Sequence, residues 1–182
     1  MLIESFSPMH ATLQPLFARL ESQRHFYTQW IETTPPEKLH HSPGPEKWSA
    51  AQVYYHLWFV DNQVVTALEN LVKDEKPGQE QRLKTRFRSW VLNLLLRLPI
   101  KFKAPPVVAS VPLAVPLNQV KQSWEQTRLR LRNVLESFPA NTLSREIFRH
   151  PRVGMLTLPQ TLEFMHSHHA HHHRQLKQLL SV

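Results

Sequence analysis

Phe164-Met165-His166-Ser167-His168-His169-Ala170-His171-His172-His173-Arg174-Gln175-Leu176 carries six of the chain's twelve histidines. From Gln160 to Val182 neither Gly nor Pro interrupts the chain, and Leu162, Phe164, Leu176, Leu179 and Leu180 give apolar faces, so the stretch reads as a helix. Thr157 as N-cap, Gln160 three residues on and Pro159 in the first turn mark its start. Residues four apart stack on one face of a helix. Two pairs, His168/His172 and His169/His173, therefore have the spacing at which an H-E-x-x-H helix holds one zinc ion. A solvated His-rich tail or an expression tag is the plainer alternative. It fits less well, because the run is interrupted, continues into Arg174-Gln175-Leu176 and sits inside a helical pattern. Periodicity does not choose between the pairs: the stripe Leu162, His166, His169, His173, Leu176, Leu180 is as amphipathic as Thr161, Phe164, His168, His172, Gln175, Leu179.

Working back toward the N-terminus, the fifteen prolines fall mostly between apolar-periodic stretches and divide the chain into helical pieces. A first helix is expected from about Ala11 to Thr33, with Pro15 in its first turn and Pro35-Pro36 as its stop, followed by an irregular connection through Pro43-Gly44-Pro45. Ser49 and Gln52 form a capping box that opens a second helix to about Lys73. On it Val53, His56, Val60 and Val64 share a face, so His56 points into apolar company. A third helical stretch, Arg82 to Leu98, precedes a strap from Pro99 to Pro116 that five prolines keep extended. Asn118 is expected to cap a helix to about Phe138 with Val120, Trp124, Leu131 and Leu135 inward, and Arg145 to Leu156 reads as a loop. The architecture expected over 1–182 is a single all-α domain: a four-helix bundle with an extra helix and a proline-rich extended crossover.

Composition narrows the function. The chain has no cysteine, which removes thiolate ligands, thiol nucleophiles and disulfides and leaves His, carboxylates and water for any metal. No basic-then-apolar leader opens the sequence, and the apolar run Trp90 to Ile100 is too short to span a bilayer, so a cytoplasmic protein without a membrane partner is expected. The net charge of +8 is concentrated in 81–124, which holds eight basic residues and no acidic one. Such a segment could meet phosphate, but it spans a helix, a strap and a helix start, and its few aromatics (Phe87, Trp90, Phe102, Trp124) do not interleave as in single-strand binders. No specific nucleic-acid partner is expected.

Pro45-Glu46-Lys47-Trp48-Ser49-Ala50-Ala51-Gln52-Val53-Tyr54-Tyr55-His56-Leu57 resembles the segment that opens the second helix of the DinB-like superfamily, with a Trp-Ser pair and a metal-binding His eight residues after the Trp. His150-Pro151 and Gly154 before the last helix, then Phe164, His168, His171-His172 and Gln175-Leu176, are similar to that family's last-helix pattern. The strap Phe102-Lys103-Ala104-Pro105, with Pro112 beyond it, is similar to its DinB-2-type members. The resemblance implies a three-histidine site for a divalent ion, zinc or nickel, at His56, His168 and His172. It places His166, His169 and His173 on another face, meeting solvent or a neighbouring subunit.

The family likeness further implies a homodimer, for which the apolar segment Trp90 to Ile100 is the candidate contact. Its function would be a metal-dependent hydrolase or a thiol S-transferase acting on a small molecule, with a low-molecular-weight thiol as cosubstrate. The alternative is a non-catalytic metal-binding stress-response or interaction module. Asp61 and Glu163 lie near the expected ligand turns, but helical-wheel geometry aims neither at the ion, and no general base is assigned.

Overall fold

The computed structural model describes residues 8–74, 79–80, 111–151 and 154–180. The expected helix 82–98, most of the strap, the apolar segment 90–100 and most of the basic 81–124 region lie outside those residues.

The elements are α1 (Gln14–Thr33), α2 (Pro36–His40), α3 (Ala50–Lys73), β1 (Gln79–Glu80), α4 (Leu117–Ser137), β2 (Arg145–His150), β3 (Gly154–Thr157) and α5 (Leu158–Leu180). The four long helices form a ring in which α1 packs on α5, α5 on α3, α3 on α4 and α4 on α1. This is the expected all-α bundle.

Local signals account for where the two site-bearing helices begin. At α3 the Ser49 N–H donates to Gln52 Oε1 (3.0 Å) while the Gln52 N–H donates to Ser49 Oγ (3.3 Å). At α5 the Thr157 N–H donates to Gln160 Oε1 (3.0 Å) and the Gln160 N–H to Thr157 Oγ1 (3.4 Å). Each reciprocal pair satisfies two backbone donors that a helix N-terminus leaves orphaned. Gln52 also donates from Nε2 to the Pro112 carbonyl (3.2 Å), which ties the described end of the strap to the start of α3.

Three local expectations are corrected. Pro35-Pro36 do end α1, and the stretch through Pro43-Gly44-Pro45 is irregular as expected, but Pro36 also opens the unexpected short α2, because a proline ring suits the first turn of a helix, where the missing N–H is not needed. Asn118 is not a cap: α4 begins at Leu117 with Pro116 at the cap position and no side-chain cap. The segment 145–156 is not a loop. β2 and β3 form an antiparallel hairpin with β1 on the other edge of β2, and Gly154, which opens β3 opposite His150, has φ of 86°, a left-handed conformation that costs glycine little.

The core has two apolar layers. One gathers Leu13, Leu20, Leu68, Leu131, Leu156 and Leu162; the other gathers Tyr27, Tyr54, Leu57, Trp124, Leu176 and Leu180. Between them every long helix contributes a polar residue: Glu21 and Arg24 from α1, Asp61 from α3, Arg128 from α4, and His168 and His169 from α5. The site lies at this level.

Candidate metal centre

His56 on α3 and His168 on α5 are buried, and His172, one turn beyond His168, is partly exposed. A ring nitrogen of each lies within 4.8 Å of the others, which makes the group able to hold a metal ion. The rings form a near-equilateral triangle, with centroids 5.1 Å apart for His56–His168, 5.0 Å for His56–His172 and 4.9 Å for His168–His172. The Nε2 atoms of His56 and His168 are 3.2 Å apart. Nitrogens each about 2.0–2.1 Å from one tetrahedral ion stand about 3.3 Å apart, so this spacing suits two ligands of one ion as well as it suits a hydrogen bond.

Burial and neighbouring rings keep the two α5 imidazoles neutral. Burial, then the His172 and His56 rings beside it, hold His168 well below the usual histidine range. Burial and His56 push His172 down to about 3, against an opposing hydrogen bond from Gln175. That hydrogen bond also sets a tautomer: His172 Nδ1 donates to Gln175 Oε1 (2.9 Å), so Nε2 is left with its lone pair. The Trp48 ring lies 4.8 Å from His56 and the Phe164 ring 6.0 Å from His168, so aromatic carbon flanks two of the three imidazoles. Solvent reaches the triangle at His172. A cluster of three imidazoles without a carboxylate, two of them buried, fits a divalent ion of intermediate softness.

The family model of the DinB superfamily matches residues 19–176. The chain belongs to the DinB superfamily. It is also similar to the uncharacterised protein YuaE of Bacillus subtilis (strain 168), at 27% identity over 143 residues, which cover 79% of this chain and 83% of that protein. No solved structure matches it. In this DinB chain no described helix is long and apolar enough to cross a membrane.

Of the three histidines expected on another face, His166 and His173 are partly exposed and His169 departs from expectation. His169 does not meet solvent or a second subunit; it is wholly buried, and its Nε2 lies 3.0 Å from both carboxylate oxygens of Asp61. Asp61 Oδ2 also accepts from Arg128 Nη2 (2.6 Å) and Trp124 Nε1 (2.8 Å). Burial drives the Asp61 carboxyl upward, but Arg128, His169 and Trp124 together outweigh it and hold the group below the usual carboxylate range. Arg128 Nε pairs in turn with Glu21 Oε1 at 3.2 Å, and Tyr27 on α1 donates to the His169 carbonyl (3.0 Å). His166 lies against Arg19 at 2.9 Å, and His173 packs on Trp30 with centroids 5.2 Å apart. Both contacts are made to α1 of the same chain.

Neither carboxylate near the ligand turns faces the triangle: Asp61 is engaged as above, and Glu163 pairs with Arg19 at the surface (3.0 Å). The buried network was the part that sequence reasoning missed. Its signal was Arg128, a charge set on the apolar stripe between Trp124 and Leu131, which a core tolerates only when an opposite charge meets it.

Proposed function

We propose that the chain is a divalent-metal-dependent enzyme acting on a small molecule, with His56, His168 and His172 as the ligands and hydrolysis or thiol transfer as the reaction. The observation that carries the reading is the triangle of three imidazoles donated by two facing helices. Three protein ligands leave a coordination position open, which is the pattern of catalytic sites, whereas structural sites are closed by four. Zinc or nickel held there would supply a Lewis acid that lowers the pKa of water or a thiol in the open position.

The chain's own groups support that role. His168 and His172 are neutral near pH 7, so no proton competes for their lone pairs. Gln175 holds the His172 ring in one tautomer. Trp48 and Phe164 flank His56 and His168, and a substrate would enter at the partly exposed His172. A low-molecular-weight thiol is a fitting cosubstrate for a protein that has no cysteine of its own, although hydrolysis needs none either.

Elemental analysis of untagged protein, followed by turnover with thiol–electrophile and ester–amide panels in loaded and chelated protein, tests the reading. One ion per chain and metal-dependent turnover are expected. Full loading with no turnover on either panel would favour the non-catalytic metal-binding module instead.

A further inference from the structure

Two neighbouring residues of α5 are gripped by two residues of α3. His168 meets His56 (3.2 Å between Nε2 atoms) and His169 meets Asp61 (3.0 Å). Along α3 the two grips are five residues apart, about 7.5 Å along the axis, whereas on α5 they are adjacent, about 1.5 Å apart but separated by about 100° of rotation. One contact would let α5 roll about its own axis. Two contacts at different azimuths fix both its roll and its height.

The second grip is also the firmer one. Asp61 is wholly buried and is itself held by Arg128 (2.6 Å) and Trp124 (2.8 Å) from α4, so it cannot follow α5 if that helix turns. Tyr27 from α1 adds a hydrogen bond to the His169 carbonyl (3.0 Å).

We propose that Asp61 is a positioning residue for the histidine triangle: through His169 it sets the rotation of α5 that turns His168 and His172 onto His56. The inference rests on the reading of those three histidines as ligands. It gives Asp61 a function at the ion without contact to it.

Cobalt(II) titration of the full chain tests this, because visible absorption of bound cobalt reports coordination geometry separately from stability. His169→Leu removes the grip. His169→Gln keeps an N–H that can reach the carboxylate. Asp61→Asn also deprives Arg128 of its counter-charge, so the His169 pair is the primary comparison. His169→Leu is expected to keep its helical circular dichroism, to bind cobalt roughly ten- to hundredfold more weakly and to change the absorption band, with His169→Gln recovering most of both. If His169→Leu binds cobalt with wild-type affinity and spectrum while only its melting temperature falls, Asp61 is a core residue and the inference is overturned.

Absence of cobalt uptake by the wild type would instead sink the ligand reading. The positioning role is then decided in metal-free protein by the ring nitrogen resonances of His168 and His172. Their movement in His169→Leu supports it, and unchanged resonances overturn it.

Discussion

At the scale of single residues, the three histidines of the triangle differ from His166, His169 and His173 in what surrounds them. His56→Ala, His168→Ala and His172→Ala should each reduce metal occupancy severalfold or more in equilibrium dialysis, whereas His166→Ala and His173→Ala should leave it near wild type. Comparable losses from His166→Ala would show the wrong face had been chosen. Acid stability gives an independent check. His172 is neutral in the fold down to about pH 3 and His168 is also held well below 6.5, while both charge near 6.5 in the unfolded chain. The unfolded state then binds more protons at mildly acidic pH, so the stability these residues contribute is complete above about pH 6.5 and is lost as pH falls toward 3. The urea midpoint of metal-free protein should fall through this window, and more gently in His172→Gln. Asp61, held low by Arg128 and His169 despite its burial, adds a further loss at still lower pH with the same sign. None of this shielding was legible residue by residue. The two stripes of α5 are equally amphipathic, and what separates His168 from His169 is a carboxylate 108 positions away in the chain.

At the scale of elements, the sequence was most informative where the controlling forces are local. Ser49 with Gln52 and Thr157 with Gln160 are visible as four-residue patterns, and both helices begin where those patterns put them. Ser49→Ala and Thr157→Ala should each lower unfolding free energy by about 1 kcal/mol, measured by urea denaturation, with metal affinity changed far less than by loss of a ligand. The hairpin of β2 and β3 was hidden because Pro151 and Gly154 look like loop punctuation, and pairing energy comes from the partner strand, not from the strand itself. The short α2 was hidden for a related reason: two consecutive prolines end one helix and the second of them begins the next.

At the scale of the whole molecule, two expectations concern surfaces. A homodimer is expected, with 90–100 as its contact, and light scattering at micromolar concentration should return twice the chain mass of 21.4 kDa; a monomer would discard it. DNA, single-stranded or duplex, should bind weakly and without sequence preference, losing nearly one log unit of affinity per phosphate contact for each tenfold rise in salt, and chelation should not alter it. Sequence-selective binding at physiological salt would argue for a nucleic-acid module instead.

The polar layer between the two apolar ones also bears on how this chain avoids a wrong fold. Histidines at 168, 169, 171, 172 and 173 make α5 nearly self-similar: if it slipped by one residue, His169 and His173 would arrive where His168 and His172 belong. An ion could not tell the two alignments apart by ligand type. The slipped chain, however, would put Ala170 against the Asp61 carboxylate and Leu176 in place of Gln175, leaving a buried charge with an unanswered acceptor. The carboxylate thus acts as a proofreader of helix alignment, rejecting a decoy that the histidine run itself creates.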